Sequence, residues 1–288
     1  MKKIVSLSIL VSMMVLTLCG CGKSESTSGS GKKTAVKVID LDLTDEEYAF
    51  GVDKDQPELL QATNDFIKEI KENGEFDKIC NNYFGDGEPM AIKSAKLDPN
   101  KDQLLVATNA SFEPFEYMKG DSYYGIDMEI ADALAKKLNK ELVIQNMDFD
   151  AVCLSVGQHK SDIAMAGLTI KEERKEYVNF SDSYYNAAQR LIVKGDNTEF
   201  DSCADKDAVE AILKAKDKNV TIGVQNGTTG QFYCEGDADW GFEGFNTKVT
   251  GYKNGSLAVQ DLINGNIDYV IIDSAPSKCI TDAINKMQ

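Results

Sequence analysis

The chain has 288 residues, with 31 Lys and Arg against 47 Asp and Glu and a formal net charge of −16 at pH 7. That anionic excess argues against nucleic acid and anionic lipid surfaces as partners, since both would repel it. With 42% hydrophobic and 27% charged residues the composition is that of an ordinary globular protein, long enough for two lobes or one large domain.

Lys2 and Lys3 precede an uncharged, largely apolar run at 4–18 that is short of the roughly 20 residues a membrane span needs. A positive start, an apolar core and small residues before a cleavage point fit a secretory signal over 1–20. The Leu18-Cys19-Gly20-Cys21 ending resembles a bacterial lipobox, which implies cleavage before Cys21, a lipid on its sulfur, and an extracytoplasmic protein anchored to the outer face of the cell membrane. An uncleaved anchor is the alternative. Residues 22–33 are Ser- and Gly-rich, a flexible tether.

Past the tether, Pro57 opens a helix whose Leu59, Leu60, Thr63, Phe66, Ile67 and Ile70 share one face, and Gly74 ends it. Candidate strands follow at 104–108, 141–147, 162–166, 190–194, 220–224, 248–252 and 268–272. Between them, 126–138 sets Ile130, Leu134 and Leu138 four apart, and 256–264 reads as a short helix capped by Ser256 and stopped by Gly265. Strands alternating with helices make this an α/β chain with largely parallel sheets. No repeat, GxGxxG, P-loop, HExxH or G-x-S-x-G signature occurs.

Cys80, Cys153, Cys203, Cys234 and Cys279 match no zinc or CxxC spacing, and an odd number cannot all pair. Cys80 and Cys153 sit among apolar helix positions as small hydrophobes, while a disulfide among Cys203, Cys234 and Cys279 stays open. The only histidine, His159, lies in a polar loop and is expected to be solvated.

A free amino acid offers a carboxylate, an ammonium group and a variable side chain. At 167–174, Thr169 and Glu172 have the spacing of a capping box, which would gather free N–H groups at Gly167 to Thr169 as an anion site. Arg174 either grips a carboxylate with its planar fork or pairs with Glu172, Glu173 or Glu176. Gly227-Thr228-Thr229-Gly230 follows a strand and could add donors or be an ordinary turn. Asp273 ends an apolar strand, where ligands collect in open α/β sheets; it suits an ammonium or a helix cap. Phe112, Phe115, Tyr117 and Phe149 either stack on a ligand or fill the core.

Ala107-Thr108-Asn109, Pro114-Phe115-Glu116-Tyr117, Gly125-Ile126-Asp127, Met147-Asp148-Phe149, Ala166-Gly167-Leu168-Thr169-Ile170, Glu173-Arg174, Phe180-Ser181-Asp182 and the stretches 223–230 and 268–273 together resemble the family 3 extracellular solute-binding proteins. Those proteins deliver polar amino acids to ABC importers. The resemblance implies a periplasmic-binding-protein-like type II fold, two α/β lobes joined by a two-stranded hinge, acting as a monomer without cofactor, metal or catalytic residue. It implies that Arg174, Thr169 and the Thr229 region hold the ligand carboxylate, while Asp273 and the Gly167 carbonyl hold the ammonium. Phe112 and Phe149 would sandwich the side chain, with Asn109 and Gln225 reading its tip. Several relatives carry Asp where Asn109 stands, and the glutamine binder carries Lys where Gln225 stands. The neutral pair here favours a polar uncharged ligand, glutamine- or cystine-like, captured by lobe closure and passed to a membrane permease. A cyclohexadienyl dehydratase-like enzyme on the same fold and a ligand-presenting sensor module are the alternatives.

The order departs from that family. Residues 44–85 resemble its C-terminal end, yet they precede the segment resembling its start. A circular permutation follows: a second-lobe strand at 34–43, a first lobe at 44–187 joined through 85–103, and the rest of the second lobe at 188–288. Joining nearby ends and opening an exposed loop is physically tolerated.

Overall fold

The computed structural model describes residues 34–287; the expected signal, Cys21 and the tether lie outside the described residues. Tyr269–Asp273 is buried at all five positions, as befits a central strand covered on both faces. It anchors a five-stranded sheet in the order Val36–Ile39, Gln189–Lys194, Tyr269–Asp273, Thr221–Gln225, Lys248–Tyr252. Thr221–Gln225 runs parallel to both its neighbours, whereas Gln189–Lys194 is antiparallel to both of its own. Around this sheet, the second lobe, helices Gly255–Asn264 and Ser274–Lys286 pack.

The first lobe is built on a sheet in the order Val178–Phe180, Gly51–Asp53, Ile163–Ala164, Gln103–Thr108, Glu141–Asn146. Gln103–Thr108 is parallel to Glu141–Asn146 and Ile163–Ala164, and Gly51–Asp53 enters antiparallel. The expected strand at 162–166 gives only Ile163–Ala164 to the ladder, because the chain turns away toward Gly167. A small meander, Ser111–Phe112, Glu116–Lys119 and Ser122–Tyr124, lies beyond Gln103–Thr108. Glu46–Tyr48 and Tyr185–Ala187 pair antiparallel as the two crossovers between the lobes.

Pro57–Glu72 starts with Pro in its first turn and buries Leu59, Thr63, Phe66, Ile67 and Ile70, spaced as one helical face. Complete burial of such a side chain stabilises by roughly 1.5–3 kcal/mol. Asn73 caps the helix and Gly74 takes the left-handed conformation that starts Glu75–Phe84. Ile126–Lys137 buries Ile126, Met128, Ile130, Ala131, Leu134 and Ala135, lying between its sheet and Glu75–Phe84. The connection to Gln103 follows the edge of Glu141–Asn146. There the Ala95 N–H donates to the Leu142 carbonyl (2.8 Å) and the Ile144 N–H to Ser94 Oγ (2.8 Å).

Two local expectations are corrected. Gly255–Asn264 is capped by Asn254, whose side chain accepts the Leu257 N–H at 3.0 Å, rather than by Ser256. The capping box at Thr169 and Glu172 does not form. Only a single 3₁₀ turn, Glu173–Glu176, follows, and the Thr169 hydroxyl goes to the ionisable Glu46, a stronger acceptor. The five described cysteines are free thiols, so Cys203, Cys234 and Cys279 do not pair among themselves.

Candidate ligand-binding site

The C-terminal ends of Gln103–Thr108, Ile163–Ala164, Thr221–Gln225 and Tyr269–Asp273 are followed by Asn109, Gly167, Gly227 and the carboxylate of Asp273, so both sheets feed one cleft. Arg174 reaches across it. Its Nη1 donates to the Thr169 carbonyl at 2.7 Å within its own lobe, and its Nη2 donates to the Gly227 carbonyl of the other lobe at 2.9 Å. The guanidinium lies 5.2 Å from the centroid of Phe149, and only 8% of the residue is exposed. Thr229, first residue of the Thr229–Glu235 helix, puts its hydroxyl 3.3 Å from that of Thr169, again across the lobes.

Opposite charge gathers beside this group. Glu46 accepts from the Thr169 hydroxyl (2.7 Å), the Thr44 hydroxyl (2.5 Å) and the Gln189 amide (3.0 Å). Asp273 accepts from the Tyr48 hydroxyl at 2.5 Å. Burial above all, then the Glu46 charge, pushes the Asp273 carboxyl up to about 7 against the opposing bond from Tyr48. Asp127 accepts from the Gly167 N–H (2.9 Å) and the Tyr184 hydroxyl (2.6 Å). Burial raises it to about 7 as well, with those two bonds opposing. Glu116 is wholly buried and neither carboxyl oxygen has a hydrogen-bond partner among the described residues. Burial, then Asp127 and Asp273, lifts its pKa well above the carboxylate range.

Gly167 holds a φ of +53°, and a Cβ there would come within 2.9 Å of the Phe112 ring. That close approach sets the backbone against the aromatic wall. Phe112 stacks on Phe115 at 6.0 Å, whereas Phe149 sits by Arg174 and Gly227; the two rings make no mutual contact. Asn109 donates to the Met147 carbonyl at 2.7 Å and accepts the Gln225 amide at 3.3 Å. Gln225 Oε1 is buried without a partner.

Asn109, Phe112, Phe149, Gly167, Thr169, Arg174, Gln225, Thr229 and Asp273 therefore all lie on the cleft or its walls. Sequence reasoning missed Glu46, Tyr48 and Gln189 beside Thr169 and Asp273, and the fully buried Glu116 and Asp127 behind them. His159 is exposed but not simply solvated, since its Nδ1 is 2.8 Å from the buried Asp53 carboxylate and its Nε2 3.7 Å from Asp55. Its two nitrogens face different carboxylates, an ion-pair geometry on the outer end of the first lobe.

Residues 104–275 match the family described as bacterial extracellular solute-binding proteins, family 3. An arginine-binding extracellular protein of Bacillus subtilis is 35% identical over 131 residues, covering 46% of this chain and 47% of that protein. A probable histidine-binding protein of Neisseria gonorrhoeae is 32% identical over 194 residues, covering 66% and 65%. The chain thus spans about half to two thirds of these relatives. A solved ancestral amino-acid-binding protein, described as a precursor of cyclohexadienyl dehydratase, aligns with a TM-score of 0.54 at 29% identity, covering 64% of this chain and 75% of that one.

Proposed function

The chain belongs to the bacterial extracellular solute-binding proteins of family 3, and on that footing we propose that it captures a free amino acid between its lobes and delivers it to an ABC importer. The arrangement around Thr169 carries the reading. Its carbonyl meets the Arg174 guanidinium, its hydroxyl meets Glu46, and Thr229 approaches from the other lobe. A zwitterion fits such a place, with its carboxylate toward Arg174, Thr169 and Thr229 and its ammonium toward Asp273 and the Gly167 carbonyl. Contacts drawn from both lobes are gained only on closure, and that differential affinity drives it.

The side chain we assign to the ligand is cationic, as in arginine or histidine. Burial keeps Asp273, Asp127 and Glu116 protonatable, and a cationic side chain beside them would favour their charged forms and be held by them. The arginine and histidine binders among the relatives support the same class. The Asn109–Gln225 amide pair favours the competing choice, a glutamine- or cystine-like ligand. A thermal-shift screen of the twenty amino acids with cystine and ornithine decides, because a bound ligand raises apparent stability by mass action. Arginine or histidine giving the largest shift supports the assignment, glutamine or cystine transfers it, and no shift from any amino acid overturns it.

An enzyme is the second reading. Asp273 and Glu116, held protonatable by burial, have the form of general acids, and one structural relative is described as a dehydratase precursor. We assign no catalysis; turnover of prephenate or arogenate would reverse that.

We also propose that the protein acts as a monomer, lipid-anchored through Cys21 outside the cytoplasm, and that its order is a circular permutation. Cys21→Ser should free it from the membrane fraction. Support for the permutation comes from the pairing of Glu46–Tyr48 with Tyr185–Ala187, from Val36–Ile39 at the edge of the second lobe, and from a family match that starts only at residue 104.

A further inference from the structure

We propose that Lys171 is an interlobe latch, an ammonium held against Asp237 and Phe232 of the opposite lobe that sets how long a ligand is retained. It stands beside the cleft rather than in it, two residues past Thr169 in the first lobe, and is only 5% exposed. Its Nζ is 2.8 Å from Glu173 in its own lobe, 2.8 Å from Asp237 across the gap, and 3.7 Å from the centroid of Phe232. Opening the lobes would take away both the opposite carboxylate and the ring and leave the cation only Glu173, which is largely solvated. Desolvated cation–π and ion-pair contacts are the ones that count energetically, unlike exposed pairs.

Asp237 is built to receive the cation. One of its oxygens accepts the N–H groups of Asp239 (3.0 Å) and Trp240 (3.2 Å), which leaves the other for Lys171. Its backbone pairs with that of Phe242 through two bonds, at 2.9 and 2.8 Å, closing a small turn behind the carboxylate. Burial disfavours charge on both partners, yet their mutual bond, with Glu173 and the turn N–H groups, raises the Lys171 pKa and lowers that of Asp237. A second interlobe pair, Lys253 with Asp148 at 3.2 Å, is exposed on both sides and serves as the control.

The latch rests on the reading that the lobes close on a ligand, and the test separates the two. In the full chain, with L-arginine as probe, stopped-flow dissociation should be about tenfold faster for Lys171→Met and for Asp237→Asn. The double variant should be no faster than either single one, and Lys171→Arg should keep most of the retention. Glu173→Gln and Lys253→Met should stay within about twofold of the parent. Association should hardly change, since closure contacts act on release. Unchanged dissociation, or additive effects in the double variant, overturns the latch. If the parent binds no arginine, the ligand assignment fails, and the same dissociation rates read with the amino acid that the thermal screen selects decide the latch.

Discussion

Arg174→Ala is the most direct test of the site. A guanidinium has five N–H donors in a fixed fork. Here one goes to the Thr169 carbonyl and one to the Gly227 carbonyl, which leaves the others for a ligand carboxylate. Two charge-assisted bonds to a ligand carboxylate, at roughly 1.5–3 kcal/mol each, come to about 3–6 kcal/mol. The loss of one partner from a buried ion pair costs a similar roughly 3–5 kcal/mol. Calorimetry with the amino acid chosen by the thermal screen should therefore show Kd weakened by about two to three decades or more. Arg174→Lys should fall between, since it keeps the charge and loses the fork. The parent fold should survive both changes, because Arg174 makes only two hydrogen bonds among the described residues, both to backbone carbonyls. A Kd for Arg174→Ala within about threefold of the parent would remove Arg174 from the site.

A pH dependence follows from Asp273, whose folded pKa is raised from 3.8 to about 7. The folded state holds that proton more tightly than the unfolded chain, so stability is fully present below about 4 and declines as pH rises through about 7. Asp273→Asn should thus melt a few degrees higher than the parent at pH 8, with the gap closing toward pH 4; a gap independent of pH contradicts the assignment. Gly167→Ala should weaken ligand affinity and lower the melting temperature together, because its Cβ meets Phe112 at 2.9 Å and its φ is +53°. Calorimetry and melting that both match the parent would show that the close approach is not needed.

Local chemistry made most of the fold legible. Pro57 and Gly74 bracket a helix because one lacks an N–H that the first turn does not need and the other adopts a left-handed φ at no steric cost. The apolar runs ending at Thr108, Gln225 and Asp273 had no other way to be buried than as central strands. What sequence could not decide were choices made by distant groups. Asn254 and Ser256 can both cap a helix; Asn254 does so because its backbone is the extended one, at φ −156° and ψ 165°. The capping box at Thr169 is lost to Glu46, 123 positions away in the chain. Nothing in the sequence alone marks Glu46, Glu116 and Asp127 as buried acids, since only the packing of crossovers, meander and helix against one another encloses them.

Connectivity can be separated from the site by experiment. Asn285 in the last helix accepts the Ala35 N–H at 3.0 Å and donates to the Val36 carbonyl at 2.9 Å, so the two ends of the second lobe lie side by side. A short Gly/Ser linker from Gln288 to Thr34 would close them. The place to reopen the chain is between Gly87 and Glu88, because from Met90 onward the connection is bonded to Glu129, Tyr123, Leu142 and Ile144. Cutting there spares every one of those bonds and yields a chain that starts at Glu88, the order that the proposed permutation would have rearranged. Loop-closure entropy changes only slowly with length, about 0.6 kcal/mol per doubling, so melting temperature should shift by a few degrees at most. The cleft residues keep their neighbours, so ligand affinity should remain within about twofold of the parent. A rearranged chain that folds but binds an order of magnitude more weakly would mean that the order itself tunes the cleft. One that fails to fold would mean that residues 34–103 are more than a displaced end of the same two lobes.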